Sequence, residues 1–255
     1  MGFPMQKITL ILLISIILLS SLSAPARNIN FDQYDVAEDR QSKNIIPLSQ
    51  RLNNVNDKFN LAKQRRLKYK KSLKALHGAV QFASKELPIY SELQINDSIN
   101  CEHIVPKSFF HHSPCYDTKT MESDLHHLYP AYQSVNLLRG NRGFTDIENY
   151  QVCDQGNNAY KVSKLRIAKN NKFEPNNFFK GKVARACAYF FTRYHQYVKN
   201  MSQVINVKTM ISWNEKYPPN KNERKRDSVI FKIQGAHNPY ITEAIGYMRE
   251  IWLNN

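Results

Sequence analysis

The chain has 255 residues and an apolar fraction of 42%, which is enough for one sizeable domain or two small ones with a hydrophobic core. Its formal net charge is +15, which favours a polyanionic partner: nucleic acid, a glycosaminoglycan or an anionic membrane surface. Eight glycines are few, and this argues against a glycine-rich nucleotide-binding loop or a low-complexity chain.

The first 26 residues predict a secretory signal peptide. Lys7 precedes the apolar run ITLILLISIILL, which is too short to span a bilayer comfortably, and small residues then end in Ala24-Pro25-Ala26. An uncleaved anchor helix is the alternative. Cleavage after Ala26 takes one positive charge, that of Lys7, from +15 and leaves +14. We therefore expect a secreted or periplasmic protein without stable membrane insertion.

Residues 27 to about 57 are polar and poorly periodic, which predicts a linker or pro-segment before a domain that spans 58–255. From Lys58 to about Lys85 the apolar residues recur at helical spacing. This stretch forms either an ordinary solvated helix face or a surface that meets phosphates. Seven basic residues crowd positions 63–74 of this stretch: Lys63, Arg65, Arg66, Lys68, Lys70, Lys71 and Lys74.

The middle of the chain predicts a strand, a loop, a second strand and a helix. Residues 100–105 and 124–129 are short extended runs, closed by Pro106 and Pro130. Residues 131–139 predict a helix that ends at Gly140. Further along, residues 178–200 and 202–217 predict helices, residues 221–226 a basic loop, and the end of the chain a last short helix.

Four cysteines suit an oxidising compartment, and three complete disulfide pairings can be drawn among Cys101, Cys115, Cys153 and Cys187. No C-x-x-C pair is present, so the spacing does not indicate a structural zinc site. Cys187 falls on the apolar face of the helix predicted at 178–200. A free core thiol is therefore an alternative to a disulfide at that position.

The stretch NCEHIVPKSFF places a carboxylate, Glu102, beside an imidazole, His103. Neighbours on a strand point to opposite faces, so the two serve one cleft only if the strand ends or twists there, as Pro106 suggests. A carboxylate binds hard cations such as Mg²⁺, and a neutral histidine can take a proton from water. Together they supply what phosphodiester hydrolysis needs.

A second cluster of polar residues lies in MESDLHHLYPAYQSVNLLRGNRGF. An asparagine on the predicted helix could complete a metal site, and arginines could hold a phosphate. Each residue also has an ordinary explanation: a surface polar group, a satisfied core histidine or a helix C-terminal charge. The members are Glu122, Asp124, His126, His127, Asn136, Arg139, Asn141 and Arg142.

Three segments in this order resemble the endonuclease I family: CEHIVPKSFF, MESDLHHLYPAYQSVNLLRGN and WNEKYPPNKNERKRDSVIFKIQGAHNPYI. Members of that family are secreted or periplasmic non-specific nucleases with a ββα-metal (His-Me finger) core. The resemblance therefore implies a mixed α+β fold in which helices flank that core. It also implies one divalent ion, usually Mg²⁺ with Mn²⁺ or Ca²⁺ as substitutes, and cleavage of DNA and often RNA.

The resemblance also implies roles for individual residues. Glu102 and Asn136 match the metal ligands, His103 the general base, and Arg139 the phosphate-binding arginine. Glu122, Asp124, His126 and Asn141 lie in the matching segments and would support the site or contact substrate. Arg142 lies just beyond them and is a candidate substrate contact on its charge alone. His127 stands where the family commonly has Asn, and Leu137-Leu138 replace a usual Gly-Asp pair, which bears on substrate preference and rate.

The sequence thus predicts a monomeric, metal-dependent endonuclease that acts on DNA with little sequence specificity and leaves 5′-phosphate ends, and it leaves open whether RNA is a substrate as well. Two alternatives stay open. One is a secreted polyanion-binding protein without catalysis on the same scaffold. The other is a membrane-active cationic protein, for which residues 58–85 are the candidate helix, weakened by Gly78 and scattered apolar positions.

Overall fold

The structure is a computed structural model, and it describes residues 46–85, 87–92, 94–110, 118–148, 165–168 and 170–253. The predicted signal peptide, residues 27–45, Cys115 and Cys153 lie outside these residues. The described part mixes helices with two small sheets, so the expected α+β class is confirmed. Within the described residues, no helix is long and apolar enough to cross a membrane.

The helices are short apart from two. In chain order they are α1 (Leu48–Lys58), α2 (Tyr69–Ala75), α3 (Gln81–Ser84), α4 (Thr118–Glu122), α5 (Gln133–Arg139), α6 (Asn177–Tyr194), α7 (Met201–Val204), α8 (Val207–Lys216), α9 (Lys221–Gln234), α10 (Pro239–Thr242) and α11 (Tyr247–Trp252). A π-helical turn, Leu76–Val80, joins α2 to α3, and 3₁₀ turns occupy Leu61–Lys63, Lys107–Phe109 and His195–Tyr197.

Two separate sheets hold the strands. β1 (Ile99–His103) pairs antiparallel with β2 (Leu128–Tyr132), with Glu102 opposite Tyr129 and His103 opposite Leu128. The second sheet has the order β3 (Gly143–Phe144), β5 (Lys172–Glu174), β4 (Arg166–Ala168). In it, β3 runs parallel and β4 antiparallel to β5.

β1, β2 and α5 form the strand, strand and helix that the sequence predicts, with one shift of boundary. The second strand begins at Leu128 rather than at Asp124, because residues 123–127 form hydrogen-bonded turns. Pro130 is tolerated within β2 because this two-stranded sheet has only edges, and its carbonyl accepts from the amide of Ile89. α5 ends at Gly140, whose φ of 50° suits glycine at the end of a helix.

α6 runs through the core and is buried along almost its whole length. It begins where the Asn176 side chain caps the amide of Phe178, and it ends at Tyr194, earlier than the predicted Asn200. Cys187 on α6 and Cys101 on β1 are free thiols. None of the three complete disulfide pairings therefore forms, and the free-thiol alternative for Cys187 holds.

The basic loop predicted at 221–226 is wrong, because these residues form the first turns of α9. The side chain of Asn220 accepts from the amide of Glu223 and so caps the helix. Glu223 itself is buried against Arg185, with hydrogen bonds of 2.7 Å from Nε and from Nη2. The local excess of charge had suggested a loop. The segment is helical because Asn220 caps it and Glu223 forms a buried ion pair with Arg185.

The polar segment predicted before residue 58 also needs correction over its last part. Residues 48–58 form α1, which buries Leu48, Leu52 and Val55. The helix is held on its neighbours by hydrogen bonds, such as Asn56 Nδ2 to the carbonyl of Thr192 at 2.7 Å. The folded part therefore includes residues upstream of 58. The helix was missed in the sequence because its few apolar residues stand within a mostly polar segment.

Candidate active site

Glu102 and His103 are the last two residues of β1, and their side chains leave opposite faces of the strand. Glu102 shares its face with Asn100, which lies two residues earlier, and α5 covers that face. His103 faces the segment 121–127 instead. β1 ends at His103, so Glu102 and His103 are both at the end of the strand, on opposite faces.

Glu102 is a buried carboxylate with two defined partners. Its Oε1 accepts from Tyr90 Oη and from Arg139 Nη1, each at 2.9 Å. Burial raises the pKa of Glu102, while the positive charge of Arg139 opposes that rise. Both of these side-chain hydrogen bonds fall on Oε1, so neither Tyr90 nor Arg139 occupies Oε2.

Arg139 is 1% exposed, and its guanidinium is committed to the protein. Besides Glu102, it donates to the carbonyls of His103 at 2.9 Å and Ile104 at 2.6 Å, and it lies over the ring of Phe144 at 4.6 Å. Both Nη atoms are thus engaged with the protein, whereas the buried Nε has no hydrogen-bond partner among the described residues. These contacts support a role for Arg139 in positioning the end of β1 and the carboxylate of Glu102, and the phosphate-binding role that the resemblance implies stays a prediction.

Asn136 lies one turn before Arg139 on α5, half-buried against the start of β1. Its Nδ2 donates to Asn100 Oδ1 at 2.8 Å and to the carbonyl of Cys101 at 3.3 Å. Because both contacts are made by the amide nitrogen, Oδ1 of Asn136 is left as an acceptor. Carboxylate and amide oxygens are the ligands that Mg²⁺ prefers, so Glu102 and Asn136 fit a hard divalent ion.

This pair is smaller than a conventional ligand cluster. No group of three or more His, Cys, Asp or Glu side chains that could hold a metal occurs in the described part of the chain. An ion that keeps most of its water needs only one or two protein carboxylates, with phosphate oxygens completing its shell. The two oxygens are therefore compatible with Mg²⁺ and argue against a dedicated all-protein metal cage.

The ring of His103 is fixed from three sides. Its Nε2 lies 3.0 Å from the carbonyl oxygen of Glu122, and its ring stacks on Tyr69 at 5.8 Å and meets His127 edge-on at 5.3 Å. A carbonyl only accepts, so Nε2 carries the proton and Nδ1 presents the lone pair of a base. Burial lowers the pKa of His103 to about 4, which keeps the imidazole neutral at physiological pH.

The strand–strand–helix unit, with its buried carboxylate, oriented neutral histidine and helix asparagine, lies within a stretch of sequence that matches a known family. The sequence model of endonuclease I matches residues 44–245. The chain belongs to the endonuclease I family. The family resemblance of the three sequence segments is thereby confirmed, and the match begins upstream of residue 58, as α1 does.

Individual relatives in the endonuclease I family are similar to part of the chain. Endonuclease-1 of Buchnera aphidicola subsp. Baizongia pistaciae is 31% identical over 157 residues, 56% of this chain and 61% of the relative. Extracellular ribonuclease of Bacillus subtilis is 30% identical over 167 residues, 60% and 54% respectively. Extracellular deoxyribonuclease of Aeromonas hydrophila is 26% identical over 160 residues, 56% and 65%. The chain covers less than two-thirds of the length of each of these relatives.

Asp124 anchors the segment that holds His103. Its Oδ2 accepts from Arg193 Nη1 at 2.6 Å and from the hydroxyls of Tyr189 and Tyr194 at 2.9 Å each, and its Oδ1 accepts from the amide of His126 at 3.1 Å. Burial alone would raise the pKa of this carboxyl, but Arg193 and the other donors lower it to about 2. Asp124 is thus a buried anion that fixes the segment around it, and none of these hydrogen bonds involves the ring of His103.

The other predicted residues are placed around this centre in different ways. Glu122 contributes its backbone carbonyl to His103. His126 is buried, with Nε2 at 2.9 Å from the carbonyl of Ala236, and so belongs to the packing behind the segment. Asn141 is exposed just beyond α5. Arg142 is half-buried, with Nη1 donating to the carbonyl of Leu138 at 2.5 Å.

Two tyrosines of this site went unnoticed in the sequence. Tyr90 is fully buried, has a positive φ of 75° and donates to Glu102. Tyr69 stacks on His103 from α2. Neither contact has a local signal, because Tyr90 lies 12 residues from Glu102 along the chain and Tyr69 lies 34 from His103. Asn100 could have been found, since strand alternation places it on the face of Glu102.

Proposed function

We propose that this chain is a secreted or periplasmic endonuclease that hydrolyses phosphodiester bonds of DNA and also of RNA, with Mg²⁺ as cofactor and little sequence specificity. The observation that carries the proposal is the oriented, neutral His103 next to the buried Glu102 on β1, with Asn136 of α5 packed against the same strand. Names of relatives support both substrates, since one is an extracellular ribonuclease and another an extracellular deoxyribonuclease.

In the proposed reaction the scissile phosphate lies across the end of β1. His103 takes a proton from the attacking water at Nδ1, while the Glu122 carbonyl holds the proton on Nε2 and stabilises the imidazolium that forms. A divalent ion held by Glu102 and Asn136 would offset charge on the phosphate and on the leaving 3′-oxygen. The products then carry 5′-phosphate and 3′-hydroxyl ends.

The protein residues around the reacting groups have supporting tasks. Tyr90 and Arg139 hold the Glu102 carboxylate in one orientation through Oε1, so Glu102 would offer its second oxygen to a bound ion. Tyr69 and His127 limit rotation of the His103 ring. Attraction of the substrate is expected to be sequence-independent and sensitive to salt, because the net charge of +15 acts on phosphates rather than on bases. We also expect the enzyme to act as a monomer.

The test uses the chain from Arg27 onward with supercoiled plasmid and with a structured RNA, each with Mg²⁺ or with EDTA. We expect cleavage that requires the metal and falls by roughly 10²–10⁴-fold in His103→Ala. His77→Ala is the matched control, because His77 is an exposed histidine on the π-helical turn. Binding without cleavage under every divalent ion would refute the enzyme and favour the polyanion-binding alternative.

A further inference from the structure

The exposed face of α9 forms a continuous basic stripe. Its members recur at spacings of three and four residues, so they lie on one side of the helix. Arg65 extends the stripe at its far end, where its Nη2 donates to the carbonyl of Lys232 at 2.7 Å. The stripe consists of Lys221, Arg224, Lys225, Ser228, Phe231 and Lys232.

The acidic residues of α9 do not neutralise this stripe. Glu223 points inward to Arg185, and Asp227 is 2% exposed and bound to residues of the following turn. In the described part of the chain, no carboxylate pairs with Lys221, Lys225 or Lys232. The helix therefore sorts its charges: carboxylates inside, ammonium groups outside.

Within the stripe stands an exposed aromatic ring that the protein holds in place. Phe231 is 42% exposed, and its ring stacks on that of His237 with centroids 4.0 Å apart and planes 4° apart. His237 is itself fixed by Asp227, whose Oδ2 lies 2.5 Å from Nδ1. Asp227 also accepts from the amide of Asn238 at 2.8 Å, which fixes the turn that carries His237. The result is a rigid, preformed stacking surface among cations.

This surface is separate from the candidate active site. The inner side of α9 holds the segment behind His103: Arg226 Nη2 donates to the carbonyls of Leu125 and Leu128, and Gln234 accepts from the amide of Leu125. Arg226 and Gln234 are buried, whereas Phe231 and Lys232 are on the outer side. A ligand on the stripe would thus meet the protein on the face turned away from the segment that orients His103.

We propose that the basic stripe and the Phe231–His237 stack form a second binding site for single-stranded nucleic acid, with phosphates on the lysines and a base on the aromatic surface. This rests on the proposed function only for its ligand class. A duplex keeps its bases stacked inside, so only an unpaired base can reach the ring. An anionic membrane is the poorer fit, because it calls for a broad apolar helix face and the stripe carries one aromatic residue.

The experiment measures binding by fluorescence anisotropy in EDTA, with the chain from Arg27 onward carrying His103→Ala so that no cleavage interferes. Three labelled probes are compared: a short DNA single strand, its duplex, and a strand of equal length made of abasic sites, which keeps the phosphates and lacks the bases. Phe231→Ala should weaken binding of the normal single strand about fivefold or more and leave the other two probes unchanged.

Charge variants separate the two parts of the site. Lys225→Ala with Lys232→Ala should weaken binding of all three probes and flatten the salt dependence, with Lys208→Ala on α8 as an exposed control of smaller effect. Phe231→Leu, which keeps the apolar bulk, should behave like Phe231→Ala and retain the thermal stability of the parent.

Equal loss on the abasic strand, or no loss on the normal strand, would overturn the proposal. Vesicles of anionic lipid serve as a fourth probe, and a Phe231-dependent affinity for them alone would also overturn the proposal. Because every arm is run without metal, absence of cleavage in the Mg²⁺ assay would count against the nuclease reaction alone.

Discussion

Replacement of Asp124 by asparagine tests whether this carboxylate is the ionised anchor of the segment that orients His103. Folding lowers its pKa from 3.8 to about 2, a difference that corresponds to about 2 kcal/mol of free energy of unfolding. Since the pKa is lower in the folded state, the contribution is complete above the unfolded value. It is lost as the pH falls through about 2.

The variant also leaves Arg193 buried without its anion, so its free energy of unfolding at neutral pH should fall by about 3–5 kcal/mol. As the pH falls from about 5 to about 2, Asp124 of the wild type is protonated first in the unfolded chain and then in the folded protein, which lowers the free energy of unfolding. The asparagine of the variant does not titrate, so the variant has no such loss. The gap between the two proteins should therefore shrink by about 2 kcal/mol over that range.

The assay is urea denaturation at a series of pH values, followed by the fluorescence of Trp213 and Trp252, both of which are buried. Asp57→Asn on α1 is the control, because that carboxylate is exposed. If Asp124→Asn is too unstable to study, Tyr194→Phe removes one donor and should give a smaller change of the same sign. Curves for wild type and Asp124→Asn that stay parallel from neutral to acid pH would refute the reasoning.

Three further predictions concern the site and the core. Arg139→Met should lower the free energy of unfolding by about 3–5 kcal/mol, because it strands the buried Glu102 carboxylate; a stable variant with only a raised KM for DNA would instead support the phosphate-binding role. Asn136→Ala should raise the Mg²⁺ concentration needed for half-maximal cleavage, whereas an unchanged metal titration would remove it as a ligand. Gly181→Ala should lower the melting temperature, because a Cβ there would lie 2.0 Å from the carbonyl oxygen of Tyr217. Overpacking of this kind costs about 1–3 kcal/mol, which exceeds what the better helix propensity of alanine contributes. An unchanged melting temperature would contradict the close approach.

Local sequence patterns were enough to predict the strand–strand–helix unit of β1, β2 and α5. Two short extended runs closed by Pro106 and Pro130, and a helical stretch that ends at Gly140, gave these elements in the correct order. Three sequence segments in order, the first of them around Glu102 and His103, were enough to identify the family, because the spacing of reactive residue types is read directly from the sequence. Asn100 lay within reach of the same reasoning, through strand periodicity alone.

Boundaries and roles required the tertiary structure. α9 replaces a predicted basic loop because Glu223 finds Arg185, which is 38 residues away along the chain. α1 belongs to the domain because its few apolar residues are buried against distant helices.

The contacts of Arg139 likewise became visible only in the tertiary structure. The sequence shows an arginine at a helix end, and only packing reveals that its guanidinium is 1% exposed and bound to the end of β1. The sequence alone determined which reactive groups this protein carries and in what order. The tertiary structure decided which of them are free to act, because burial and long-range hydrogen bonds commit a side chain in ways that no neighbouring residue specifies.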